Sequence, residues 1–163
     1  MIYSAKDGFP YYLNLVKDLE LQTLFSDTEA HTFLNSFDNE KAEYRYAPNK
    51  WNIKQIIGHL TDHERIMMYR AYLMSRNKEI QLWSYDQNFL VDNSVFEELT
   101  LKQLMTDLIN VRNASISFID TLSESQLKIE GLAQHFEINL KDYLKTIIGH
   151  EKHHINIIKE RYL

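Results

Sequence analysis

Asn52-Ile53-Lys54-Gln55-Ile56-Ile57-Gly58-His59-Leu60-Thr61-Asp62-His63 opens the stretch whose reading decides the fold. Asn52 can accept a hydrogen bond from the first turn of a helix, and Gln55 stands three residues on, where a capping box requires it. Beyond this start apolar residues fall at 56, 57, 60, 66, 67, 71, 73 and 74 with no proline, which predicts one long helix to about Arg76. Upstream, Tyr46-Ala47-Pro48-Asn49-Lys50-Trp51 reads as a turn. The same pattern recurs downstream. Thr100 with Gln103 opens a helix carrying Leu101, Leu104, Leu108, Val111 and Ile119 on one face, and Asn139 with Asp142 opens another that runs through Tyr143, Leu144, Ile147, Ile155 and Tyr162. From Pro10 to Phe37 the chain reads as helical in two pieces, parted at Ser26-Asp27-Thr28. A short piece begins at Ser123 with Gln126 and stops at Gly131. Residues 77–99, where Trp83, Tyr85, Phe89 and Phe96 stand among polar residues, exceed the roughly 2–8 residues that usually join bundle helices. A long crossover that covers something is the expectation. The predicted architecture is an all-α, up-down four-helix bundle with that crossover, one domain over residues 1–163.

Composition narrows the chemistry. The 163 residues include no cysteine, which excludes disulfides, thiolate metal sites and cysteine nucleophiles. Four glycines and two prolines are too few for a β-sandwich, and no glycine cluster exists to cradle a nucleotide phosphate. With a net charge of −5, electrostatic attraction to phosphate backbones is not expected to dominate, and no nucleic-acid partner is expected. No apolar run approaches the roughly 20 residues of a membrane span, and Met1 to Asp7 shows no secretion signal, so a cytoplasmic protein is expected.

Histidine carries the remaining signal. Ile56-Ile57-Gly58-His59 returns as Ile147-Ile148-Gly149-His150, so two of the four glycines sit inside predicted helices, each directly before a histidine. An interior glycine costs about 1 kcal/mol relative to alanine and is better tolerated where a neighbouring backbone must come close. Four residues after each echo stands another histidine, His63 and His154. Side chains four apart share a helix face, so two such imidazoles can converge on one ion. Either pair alone arises by chance, and the echo alone could be coincidence in an isoleucine-rich chain. Together, behind strongly apolar turns, they describe imidazoles near the core whose nitrogens need partners that metal coordination would supply. His153 points about 100° away around its helix. His31 and His135 stand alone and read as surface or hydrogen-bonding residues.

The sequence resembles the DinB-like (DNA-damage-inducible) superfamily of metal-binding four-helix bundles. The resemblance is carried by residues 44–51, by Gly58-His59-Leu60-Thr61-Asp62-His63-Glu64-Arg65, and by Tyr69-Arg70-Ala71. It extends to Tyr85-Asp86-Gln87, to Asn110-Val111-Arg112-Asn113-Ala114, and to the closing Gly149-His150-Glu151-Lys152-His153-His154. It implies a divalent metal, nickel or zinc, held by His59, His150 and His154. His63 falls where the family varies and is retained as a neighbour of the site. Asp62 and Glu64 sit at acidic family positions, read equally well as an ion pair with Arg65 or a solvated face. Asp86 is either a lining residue under the crossover or a turn residue after Tyr85. Relatives of this kind include S-transferases that use the thiols bacillithiol or mycothiol, and maleylpyruvate isomerases. The implied function is a metal-dependent transferase or hydrolase acting on a small thiol or electrophile. The other readings are a non-catalytic metal-binding stress-response protein and an apo bundle acting through association. Twenty aromatic residues, with the family's habit, imply a homodimer. Three imidazoles with ordinary pKa values near 6.5 would lose their metal on acidification below that pH.

Overall fold

A computed structural model describes residues 3–76, 84–133 and 136–163. The expectations for Trp83 and His135 lie outside those residues. Each predicted cap is formed. The side chain of Asn52 accepts from the Gln55 amide and opens α5 (Ile53–Ser75), and that of Thr100 opens α7 (Leu101–Ile119). Ser123 caps α8 (Glu124–Leu127), and Asn139 caps α9 (Leu140–Arg161) by accepting from the Asp142 amide. Asn49 enters the turn before α5 with φ of 60°, a left-handed conformation that asparagine tolerates.

The N-terminal segment differs from the two-piece reading. The break at 26–28 is present, but the chain also turns between α1 (Phe9–Asn14) and α2 (Leu21–Ser26). Then come α3 (Glu29–Leu34) and α4 (Asn39–Glu43). In an unbroken helix Val16 and Phe25 would lie about 180° apart, on opposite faces. The turn lets both be buried. A second difference follows α8. Gly131 does not stop a helix but lies in β1 (Glu130–Ala133), which pairs antiparallel with β2 (Phe136–Asn139), Gly131 opposite Ile138.

The crossover decides the topology. It includes α6 (Gln87–Asp92) and returns the chain to the level where α5 began. Asn52 there donates to Glu97, while at the far end Gln126 donates to the Ser75 carbonyl. Thus α5 and α7 run parallel, α9 runs against both, and α1 and α2 pack on α9 as the fourth member. Among the described residues no helix is long and apolar enough to cross a membrane.

Two apolar clusters fill the bundle. One gathers Leu24, Met67, Met74, Tyr143 and Leu144, and the other Leu34, Ile53, Ile57, Leu108 and Ile158. Along α5, α7 and α9 the same gap separates them. It is filled by His59, His63 and Glu64 on α5, Arg112 on α7, and His150, Glu151 and His154 on α9.

Candidate metal centre

His59 reaches this layer from α5, and His150 and His154 reach it from successive turns of α9. Their relative exposures are 2%, 3% and 9%, and one ligand atom from each lies within 4.8 Å of the others. The His59 and His150 Nε2 atoms are 3.2 Å apart. Two nitrogens bound to one ion at about 2.1 Å, with angles of about 90–110°, stand roughly 3.0–3.4 Å apart. His150 Nδ1 is buried with no hydrogen-bond partner, so the protein itself leaves this ring under-satisfied. The trio fits a divalent ion on both counts. Burial holds His59 down to about 4 and His63 down to about 3, the latter aided by His59 and Arg70. Burial first, and the neighbouring imidazoles second, hold His150 and His154 well below the usual value. Near neutral pH all four are uncharged, the form in which imidazole binds metals.

The rings around the trio fix its shape. Trp51 closes one side, 4.8 Å from the His59 ring centroid and nearly parallel to His154 at 6.4 Å. Tyr162 anchors it by donating to the Trp51 carbonyl at 2.5 Å. On the other side His63 stacks on His150 at 3.8 Å, and its Nδ1 lies 2.7 Å from the Tyr85 hydroxyl. The crossover thus touches the site through Tyr85. A cavity of about 170 Å³ opens there, lined by Phe9, Tyr12, His63, Met67, Tyr85 and His150 among others.

The remaining expected residues are placed elsewhere. Asp62 is half-buried and pairs with Arg65 at 3.3 Å; it does not line the cavity, but its charge acts on the Tyr85 hydroxyl. Asp86 caps α6, accepting from the amides of Asn88 and Phe89, and does not line the cavity. His153 turns away from the trio to meet the Tyr11 hydroxyl at 3.2 Å. His31 is buried rather than on the surface, its Nε2 3.5 Å from Glu151.

Arg112 and Glu151 have roles in the layer that sequence reasoning did not give them, and Glu64, read as a partner of Arg65 or part of a solvated face, is buried against Arg112 instead. The Arg112 Nε and Nη2 donate to Glu64 at 3.0–3.1 Å, and Nη2 donates to Glu151 at 2.8 Å. All three side chains are buried. Burial alone would raise the Glu151 carboxyl, but Arg112 and His31 outweigh it and hold it below its usual range. Glu64 follows His63 and Glu151 follows His150, so this triad ties together the two helices that carry the histidines. The signal was an arginine in phase with Leu108, Ser115 and Ile119, all of them buried.

Fold and site together define a class: helical bundles with a three-histidine site suited to a divalent metal. The chain belongs to the DinB superfamily, whose profile matches residues 22–158. An Oceanobacillus iheyensis protein named "Putative metal-dependent hydrolase OB0413" is 27% identical over 130 residues, 77% of this chain and 73% of its own. The solved structure of Bacillus subtilis YfiT is described as a probable metal-dependent hydrolase with an unusual four-helix bundle topology. It matches 98% of this chain and 89% of its own with a TM-score of 0.71 at 16% identity. A mycothiol-dependent maleylpyruvate isomerase matches at a TM-score of 0.65 and 13% identity, over 95% of this chain and 62% of its own. At such identities the likeness is one of fold.

Proposed function

We propose that this chain is a divalent-metal-dependent hydrolase in which His59, His150 and His154 hold the ion and the adjoining cavity receives the substrate. The observation that carries the reading is three buried imidazoles converging beside a cavity of about 170 Å³. Nickel and zinc both accept three imidazoles. A divalent ion so held supplies Lewis acidity and a lowered pKa for water. The chain supplies the rest. Trp51 excludes solvent from one side of the rings, and the Glu64–Arg112–Glu151 triad keeps α5 and α9 in register. Tyr85 fixes His63 against His150, so the cavity wall next to the trio is held from the crossover side. The names of the Oceanobacillus protein and of YfiT support hydrolysis over other metal chemistry.

A second reading, thiol-dependent group transfer, is favoured by the fold shared with the mycothiol-dependent isomerase. Both are tested on protein purified without a histidine tag. Stoichiometric metal that disappears in His59→Ala and His154→Ala but persists in His153→Ala is the expected result, with turnover of simple esters or amides. Turnover only on adding a thiol selects the second reading. Bound metal without turnover of either kind leaves a non-catalytic metal-binding protein, and absence of metal overturns the assignment.

A further inference from the structure

Gly149 directly precedes His150, and its missing side chain has a use. A Cβ there would lie 2.1 Å from the Tyr12 carbonyl oxygen. The glycine therefore lets the backbone of α1 rest on α9 at this level. That seating sets the Tyr12 ring edge-on to the His150 ring, centroids 5.1 Å apart at 81°. The Tyr12 side chain lines the cavity beside the trio.

The phenols around this layer are otherwise occupied. The Tyr85 hydroxyl meets His63, the Tyr11 hydroxyl meets His153, and those of Tyr143 and Tyr162 meet the Met67 sulfur and the Trp51 carbonyl. The Tyr12 hydroxyl has no hydrogen-bond partner among the described residues. It lies near enough to the Tyr85 oxygen for the two to interact electrostatically. A donor without a partner, on a ring fixed against a candidate ligand and facing a cavity with the apolar walls of Phe9 and Met67, is suited to an acceptor carried in by a small molecule.

We propose that Tyr12 is a catalytic residue, its hydroxyl donating a hydrogen bond to the carbonyl oxygen of a small ester or amide bound in this cavity. The catalytic part rests on the hydrolase reading above; the binding part does not need the metal. In the hydrolysis the acyl carbon gains a bond to the oxygen of water and loses its bond to the alcohol or amine, which leaves with one of the water's protons. Tyr12 keeps its own proton throughout. Its hydrogen bond strengthens as negative charge gathers on the carbonyl oxygen, so it acts on the transition state more than on the bound substrate.

Tyr12→Phe retains the ring, and with it the packing on His150 and the seat on Gly149. Acetophenone and α-methylstyrene have the same shape and differ in one carbonyl oxygen, and the Met67 methyl resonance in the cavity wall reports their binding. In metal-free wild-type protein acetophenone should bind roughly 2- to 10-fold more tightly, the reach of one net hydrogen bond. Tyr12→Phe should bind the two alike. In zinc-loaded protein turning over phenyl acetate, the same variant should lower kcat by about 100-fold and change KM only a few-fold, with metal content unchanged. A wild type that does not distinguish the probes, a preference that survives in Tyr12→Phe, or an unchanged kcat overturns the proposal. Failure of the wild type to hold metal overturns the hydrolase reading instead, and the metal-free probe comparison still decides whether Tyr12 receives a carbonyl.

Discussion

Removing Arg112 isolates the cost of the polar layer. Glu64 takes two donors from this guanidinium and Glu151 takes one, and all three groups are buried at the junction of α5, α7 and α9. Arg112→Met fills much of the same volume but leaves two carboxylates out of water with no cation between them. Breaking a buried pair in this way costs about 3–5 kcal/mol. For a chain of 163 residues, at roughly 3 °C per kcal/mol, that lowers Tm by about 10–15 °C. The triple variant Glu64→Leu, Arg112→Met, Glu151→Leu has no charge left to strand, and it should recover most or all of that loss, because buried ion triads contribute little beyond an apolar replacement. Urea unfolding at pH 7 on metal-free wild type, the single variant and the triple variant reads all three values on one scale. A single variant within 1 kcal/mol of wild type would falsify the claim that the carboxylates depend on Arg112. A triple variant no more stable than the single one would place the cost in packing rather than in unpaired charge.

Three further outcomes are expected. Burial holds His59 near 4 while the unfolded chain keeps about 6.5, so the unfolded state gains a proton first as pH falls. The metal-free protein should keep its full stability above pH 6.5 and lose about 3 kcal/mol through His59 alone by pH 4, and His59→Gln should flatten that slope in a melting series; an unaltered slope refutes it. Gly149→Ala should lose about 1–3 kcal/mol in urea despite its better helix propensity, because its Cβ meets the Tyr12 backbone rather than a movable side chain, and a gain in stability would mean that α1 yields freely. The chain should form a homodimer through the outer side of α5, where Tyr69 and Tyr72 are exposed, and light scattering at micromolar concentration that returns the single-chain mass of 19.5 kDa rejects it.

What could be read without coordinates was what the chain settles locally. Asn52 and Gln55, Thr100 and Gln103, and Asn139 and Asp142 each sit three residues apart, and each cap forms where its spacing places it. The repeated Ile-Ile-Gly-His placed the pairs His59/His63 and His150/His154 toward the core, but only the family resemblance singled out His59, His150 and His154, the three whose ligand atoms converge. The turn between α1 and α2 was not legible, because nothing near residues 15–20 demands it. It follows from burying Val16 and Phe25 together, a requirement set by α9 and by the far side of the core. The hairpin of β1 and β2 was lost because four-residue strands show too little alternation to separate from a loop, and Gly131 imitates a helix stop. Acidification illustrates a third kind of gap. Ordinary imidazole values place metal loss below pH 6.5, whereas burial moves proton competition at His59 down toward 4, and burial is a property of the packed bundle rather than of the histidine.

The two interior glycines show how the layer and the site depend on one another. Gly58 admits the Phe96 ring, which a Cβ would meet at 2.4 Å, and so lets the crossover lie against α5 one residue before His59. Gly149 admits the Tyr12 backbone and lets α1 lie against α9 one residue before His150. In each case the same feature that weakens a helix by about 1 kcal/mol brings a second chain segment to the level of a histidine. Crossover and N-terminal segment are the two parts of the fold that long-helix periodicity describes least well, yet they carry Tyr85 and Tyr12 to the cavity. The imidazoles are supplied by the regular helices and held by Arg112 between its two glutamates, while the groups able to face a substrate arrive on irregular segments docked at glycines. Those segments therefore shape both what the cavity accepts and how the His150 ring is held, through Tyr12 against it and through Tyr85 by way of His63.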